Sequence, residues 1–548
     1  MIQRCCLNWR LIWLSEIGRK RGIVMADHLL KLPIGVQDFP TLRVEGFVYV
    51  DKTKYLYDLI TNNRVYFLSR PRRFGKSLLI STLEAIFQGK KELFKDLWID
   101  SSDYDWKVYP VIRIDMSRTV RTDPESLDSS LIDLVKVTAE HYQIDLGTPL
   151  NSGQALDKLI RLLGERGEKA VVLIDEYDKP LLDNIDDVEL TKKMRTVLRQ
   201  FYAILKAQDG NLKFVLLTGV TKFSKVSVFS DLNNLQDLTL DRAYGTLLGY
   251  TQEELEQVFA PWIKRLAENS EHTVDEELIK IKRWYNGYQF SSKNEKVYNP
   301  FSTLLLFQQQ EYRAHWFATG TPTFLLKLIE DQQFDITQID DIRVQESAFS
   351  SYDIDKLDIF SLLYQAGYLT IKQFDGRRNI YMFGYPNLEV EEGFTESLLE
   401  YFTKLSRAYQ DTTVFKLVDY INAKDYKSFF DELKIFLSKI SYDLHMMSEK
   451  YYQNIVYFIF TLMGVELQIE VHTHFGRIDA VIEFDDRILI FEFKLDQSAD
   501  VALKQIHEKK YAEKYQGLGK DIQLFGVEFS TKERNIVEWK LEELKVKN

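Results

Sequence analysis

The sequence predicts an α/β chain: a parallel sheet built around a phosphate-binding loop, a small helical lid after it, and a second α/β module at the C-terminal end. Three observations predict this. A strand-like run, Arg64–Ser69, leads into Gly75-Lys76-Ser77 and then an apolar helix from Leu78. The all-apolar run Ala170–Ile174 ends in Asp175-Glu176. Near the C-terminus, strand-like Arg477–Phe484 and Arg487–Leu495 flank Asp485-Asp486 and carry Asp479, Glu492 and Lys494.

Bulk properties set the frame. A chain of 548 residues is too long for one core and implies two to four domains. The net charge of −11 excludes a generally basic nucleic-acid coat but allows a local basic groove. No uninterrupted apolar run is long enough to span a bilayer, so no membrane partner is expected. Residues 1–24 differ from the rest: they hold both cysteines, Cys5 and Cys6, and five basic residues against the single Glu16. They fit a signal peptide poorly. The expectation is a translated leader, with Met25 as the true start. A chain from Met25 has no cysteine, which suits a cytoplasmic protein.

The loop Arg70–Ser77 lies between a strand and a helix, the context a P-loop requires. Backbone N–H groups and the positive end of the helix would hold phosphates. Lys76 would reach the β- and γ-phosphates, and Ser77 would ligate magnesium. Arg70 stands where the first loop glycine usually falls. A fully apolar strand such as Ala170–Ile174 reads as central and covered on both faces. Asp175 at its end would hold the metal, and Glu176 would polarise the attacking water. Two further strands, Val111–Met116 and Lys213–Leu217, complete the expected sheet. Thr218 follows the second, at the place of a γ-phosphate sensor, with Thr221 and Lys222 just beyond.

From Tyr250 the pattern turns helical, with Thr251 as N-cap and Glu253-Glu254 in the first turn. The ATPase core is therefore expected over 25–249, a helical lid over 250–345, helices with a strand pair near Tyr368–Tyr381 over 346–440, and the last module over 441–548. The aromatic cluster Trp284–Tyr288 suits core packing better than base stacking. Arg72, Arg73 and Arg242 are either trans-acting residues of a homo-oligomer or phosphate contacts within one subunit.

In the C-terminal hairpin a two-residue turn at Asp485-Asp486 sets 484 against 487, 482 against 489 and 479 against 492. Asp479 and Glu492 then face each other about 5 Å apart, and Lys494 shares their face by the period of two. Two carboxylates so close call for a cation between them, and a neighbouring lysine can steady an anion or orient water. Phe491 and Phe493 point the other way, so the apolar side is expected inward and the charged side on a cleft. Glu470, on the run Glu466–His472, is a further candidate carboxylate. His472 and His474 are either metal ligands or surface residues. A helix over Ala499–Tyr515 would carry Gln505 and Lys509 on one face.

Gly476-Arg477-x-Asp479 followed by Phe491-Glu492-Phe493-Lys494 resembles the PD-(D/E)XK nuclease superfamily, with Ile478 in place of the proline. The resemblance implies that Asp479 and Glu492 bind magnesium and that Lys494 assists phosphodiester hydrolysis. It also implies that Gln505 and a basic or aromatic residue on that helix lie near a DNA backbone. Leu32-Pro33-Ile34-Gly35, Tyr49-Val50-Asp51-Lys52-Thr53, Arg70–Ser77, Leu173–Pro180, Trp284–Tyr288 and Val297-Tyr298-Asn299-Pro300 resemble the bacterial AAA-ATPase-like proteins, in which the Arg70 form of the loop is usual. Together these imply a P-loop NTPase with a C-terminal PD-(D/E)XK nuclease-like domain. ATP and Mg2+ are the expected cofactors and nucleic acid, DNA above RNA, the partner. The cofactor-binding set is Arg72, Arg73, Gly75, Lys76, Ser77, Asp175 and Thr218. The catalytic set is Glu176, Asp479, Glu492 and Lys494. The other reading is an ATP-driven switch whose nuclease-like domain only grips nucleic acid or a protein.

Overall fold

The computed structural model describes residues 29–222, 234–319, 323–332, 334–336, 339, 342–349, 358–440, 449–464, 466–472 and 477–544. The expected leader, with Cys5 and Cys6, lies outside the described residues, as do His474 and the side chains of Glu470 and His472. The chain forms two compact units. The first runs to His315 and includes Val344–Tyr381; the second comprises Trp316–Arg343 and Met382 onward.

The first unit is built on a sheet of five parallel strands in the order β2-β3-β4-β1-β5. Strand β1 (Val65–Ser69) is buried throughout and passes through the loop into α1 (Lys76–Phe87). Next come β2 (Val111–Asp115), α2 (Pro124–His141), α3 (Ser152–Glu165), β3 (Ala170–Asp175), α4 (Val188–Ala207) and β4 (Leu212–Gly219). The helices begin where the sequence supplies caps: Asp123, Asn151 and Asp187 each accept a first-turn backbone N–H, satisfying groups the helix itself leaves unpaired. All six residues of β3 are buried, as a central parallel strand demands. Strand β5 (Gln236–Asp237) is the fifth, too short for an alternation pattern to reveal.

Register brings the chemistry to one edge. Asp115 pairs with Asp175, and Ser69 pairs with Gly219, all at the carboxyl ends of their strands, where open parallel sheets bind ligands. Helices α5 (Gln252–Val258), α6 (Ala260–Asn269), α7 (Val274–Tyr285) and α8 (Pro300–Gln309) follow. Thr251 caps α5 in a reciprocal box with Glu254. Tyr285 and Tyr288 are fully buried, Tyr285 in the core of this helical group and Tyr288 against Phe74 of the loop, ring centroids 4.8 Å apart. The aromatic cluster is core. Strands Thr370–Asp375 and Ile380–Gly384 occur where a strand pair was expected.

The second unit holds a mixed five-stranded sheet, with α9 (Tyr426–Ser438) on one face. Its strands are β6 (Glu466–His472), β7 (Arg477–Glu483), β8 (Arg487–Leu495), β9 (Asp521–Ser530) and β10 (Asn535–Leu544), in spatial order β10-β9-β8-β7-β6. Helix α10 (Ala499–Glu508) lies between β8 and β9 in sequence, and those two strands pair parallel, as a helical crossover permits. One sheet face carries stacked aromatics, Phe491 on Phe525 at 4.8 Å and Phe430 on Trp539 at 4.6 Å. The other is covered by α10, through Leu503 and Ile506, and by Tyr511 and Tyr515. Among the described residues no helix is long and apolar enough to cross a membrane.

Two candidate active sites

The loop after β1 turns into α1 through two positive-φ residues, Arg73 at 69° and Gly75 at 91°. Gly75 meets no steric penalty there. The Lys76 side chain is buried, and its Nζ donates to the carbonyls of Arg70 and Pro71, each at 2.8 Å. Burial pushes this ammonium down to about 8, against the opposing pull of Asp175, Asp178 and Glu176. Ser77 is half-buried in the first helical turn, while Arg72 and Arg73 are exposed. The Arg73 guanidinium lies over the Phe301 ring at 4.7 Å.

Arg70 shows why this loop departs from the usual glycine. Its side chain is 1% exposed. It donates to the carbonyls of Ser69 (2.8 Å), Thr239 (2.9 Å) and Tyr244 (3.1 Å) and sits 4.3 Å from the Phe290 ring. Burial pushes it down to about 10. Arg70 therefore ties residues 239–244 to the base of the loop, an anchor glycine cannot make.

Strand β4 lies between β1 and β3, so Thr218 stands between the loop and Asp175. The Thr218 hydroxyl donates to Asp175 Oδ1 at 2.7 Å, and both side chains are buried. Glu176 sits at φ 52°. Its Oε2 is buried and accepts no hydrogen bond among the described residues; Lys179 Nζ stands 3.7 Å away. Burial pushes the Glu176 carboxyl up, and Lys179 opposes that shift. A half-desolvated carboxylate of this kind can take up a proton. Thr221 faces Asp178 at 2.6 Å, and Lys222 pairs with Asp237 at 2.5 Å. Arg242 is exposed.

Beside Gly75 and Leu78 opens an apolar pocket, lined also by Val48, Val50, Leu248 and Tyr250. Lys52, from the Tyr49–Thr53 motif, borders the pocket and donates to Thr246 O at 2.8 Å and to Glu254 at 2.7 Å. Burial pushes Lys52 down, with Glu254 opposing. Sequence reasoning gave Lys52 no role, because its partner is 202 residues away.

In the second unit the hairpin register is the one its turn dictates. Ile482 pairs with Leu489 and Ala480 with Phe491, a register that, carried one step further, sets Asp479 opposite Glu492. Asp479 Oδ2 accepts from Phe493 N at 2.8 Å. Lys494 Nζ donates to Glu492 Oε1 at 2.7 Å. One expectation is corrected. The charged side does not line an open cleft at Glu492, which has no exposed surface and lies beneath α10, where Gln505 Nε2 donates to it. The cause is that β8 is central rather than at an edge. Its parallel neighbour at Glu492 is Gly526, where a Cβ would come within 2.3 Å of Ala499 O at the start of α10. Glycine there admits the helix close to the sheet.

Gln505 joins the site, and Lys509, whose backbone N–H donates to Gln505 O at 2.9 Å, follows one turn on. The helix ends at Glu508 and Lys509 is its exposed C-cap. Tyr511 is the residue the sequence did not reveal: its hydroxyl is 3.5 Å from Gln505 Nε2, and burial pushes the phenol up. It follows a positive-φ Lys510, so helical spacing gave no signal.

Ser77 with Asp175, and Asp479 with Glu492, each offer hard oxygen donors of the kind magnesium takes beside water and phosphate oxygens. Among the described residues no group of three or more His, Cys, Asp or Glu could hold a metal. Either oxygen set would therefore depend on ligands from water or substrate.

The comparisons with known proteins fit this geometry. Residues 33–229 match a family profile described as a predicted AAA-ATPase, and residues 447–539 match the PD-(D/E)XK nuclease superfamily. An uncharacterized protein in the vnfD 5′ region of Azotobacter chroococcum mcd 1 is 37% identical over 526 residues, covering 94% of this chain and 99% of that relative. Among solved structures, the Aeropyrum pernix ORC1 protein in complex with DNA is matched at a TM-score of 0.23 and 12% identity, over 63% of this chain and 91% of that one. Cdc6p from Pyrobaculum aerophilum is matched at 0.20 and 9%, over 64% and 93%. Scores this low carry no argument.

Proposed function

Because this chain belongs to the AAA-ATPase-like family with a C-terminal PD-(D/E)XK nuclease superfamily domain, we propose that it hydrolyses ATP and uses that turnover to gate cleavage of nucleic acid, DNA above RNA. The observation that carries the first half is the gathering of Lys76, Asp175, Glu176 and Thr218 at one sheet edge. Lys76 would exchange its two carbonyl acceptors for β- and γ-phosphate oxygens. Ser77 and Asp175 would hold the nucleotide's magnesium, with Thr218 fixing the Asp175 carboxylate. Glu176 would take the proton of the attacking water. The apolar pocket beside Gly75 suits the base. Arg72 and Arg73, both exposed, would face a neighbouring subunit in a homo-oligomer. The absence of cysteine after Cys6 supports a reducing, cytoplasmic setting.

For the second half, a divalent cation held by Asp479 and Glu492 would supply Lewis-acid charge to a phosphodiester. Lys494 holds Glu492 in place and presents its ammonium beside the attacked phosphate. Gln505 and Tyr511 fix the buried carboxylate from the helix side. The zero exposure of Glu492 is the observation that favours the second reading, an ATP-driven switch whose nuclease-like domain binds without cutting.

The lowered Lys76 value gives a test of the nucleotide site. An ammonium is needed for the phosphates, and the free protein loses it as pH rises through about 8. Affinity for MgADP should hold below that point and fall above it, approaching about tenfold per pH unit; an ordinary lysine would delay the fall to about pH 10. Calorimetric titrations at three pH values between neutrality and pH 9.5 check this. A flat profile would remove Lys76 from phosphate binding.

A further inference from the structure

The turn from Thr218 to Thr221, at the end of β4, is hydrogen-bonded on both sides. Toward the loop, Arg70 N donates to Gly219 O at 3.1 Å and Ser69 Oγ to Val220 O at 2.8 Å. Toward β3, Tyr177 N donates to Thr218 O at 2.9 Å and Tyr177 Oη to Thr221 O at 3.0 Å. The densest contact is Asp178. A single oxygen, Oδ2, accepts from Val220 N at 3.0 Å, Thr221 N at 2.7 Å and Thr221 Oγ1 at 2.6 Å.

Asp178 is 1% exposed, and among the described residues no lysine or arginine lies within ion-pair distance of it. A buried carboxylate without a cation is costly unless its oxygens are fully bonded, and here three donors from one turn supply the bonding. Gly219 leaves no slack: a Cβ there would fall 2.5 Å from the Tyr177 ring and 2.7 Å from Asp178 Oδ1. The first residue of the turn is Thr218, whose hydroxyl holds Asp175.

We propose that Asp178 is a positioning residue for ATP hydrolysis: it clamps the Thr218–Thr221 turn, and so sets Thr218 against Asp175 and joins the phosphate loop to the acidic strand end, without touching nucleotide. The inference rests on the ATPase reading. It gives Asp178 and Thr221 a task that motif reasoning left unassigned.

The test uses the full chain and Asp178→Ala, Thr221→Val and Thr221→Ser. Steady-state MgATP turnover is measured with MgADP affinity by calorimetry and melting temperature. Asp178→Ala should lower kcat at least about tenfold while the MgADP Kd stays within about threefold, because the clamp orients Thr218 and Asp175 rather than binding phosphate. Thr221→Val should lose kcat in the same direction, and Thr221→Ser, which keeps the hydroxyl, should recover it to within about twofold. If Asp178→Ala does not fold, the Thr221 pair decides. Equal losses in Thr221→Ser and Thr221→Val, or ADP binding lost in step with turnover, would overturn the clamp. A wild-type protein that turns over ATP beside unaffected variants overturns the clamp alone. A wild-type protein without turnover overturns the ATPase reading and the clamp with it.

Discussion

Lys76→Ala is expected to lower ATP turnover at least about a hundredfold, the scale on which removing one preorganised charged donor acts. The reasoning is local. The ammonium is buried where Asp175, Asp178 and Glu176 all pull on it, and among the described residues it donates to two loop carbonyls. On the proposed reading it is held for a ligand rather than for the fold. Melting temperature should stay within a few degrees, since the substitution removes a buried charge along with its two bonds. MgADP affinity should fall with turnover. Coupled-enzyme turnover and calorimetry on both proteins check this, and unchanged turnover would refute the loop assignment.

Glu492→Gln should have the largest effect at the other site. The replacement keeps the shape beneath α10 and can still accept from Lys494, but it loses the anionic oxygen a divalent ion requires. Transition-state charge stabilisation by such an ion amounts to several kcal/mol, and about 1.36 kcal/mol is a factor of ten. Metal-dependent cleavage should therefore fall at least about a hundredfold. Stability should hold, because a carboxylate with no exposed surface becomes a neutral amide. Glu492→Ala, by contrast, removes the carboxylate that pairs with the half-buried Lys494 ammonium at 2.7 Å and should cost about 3–5 kcal/mol. Plasmid nicking with denaturant unfolding separates the two effects. Full cleavage by Glu492→Gln would exclude Glu492 from metal binding.

Much of this was legible because it is local. The hairpin register follows from a two-residue turn, since the turn fixes which residues face each other. The phosphate loop and Asp175-Glu176 announce themselves as strand ends with the right residues. What escaped depends on distant chain. Arg70 reads as a substituted glycine until Thr239, Tyr244 and Phe290 surround it. Glu492 reads as a cleft residue until β9 and α10, both later in sequence, cover β8. Tyr511 escaped for a geometric reason: the helix stops at Glu508, and positive-φ Lys510 turns the next residues off the helical spacing. Asp178 escaped because its partners, Val220 and Thr221, lie just beyond β4, 42 and 43 residues on.

The account turns on whether the second site cuts. The most direct measurement incubates the purified full chain with plasmid and with single-stranded DNA, with magnesium or manganese, with and without ATP, beside Asp479→Ala. The account predicts cleavage that requires the metal, disappears in Asp479→Ala and changes in rate with ATP. Protein that hydrolyses ATP yet cuts neither DNA under any of these conditions would contradict it.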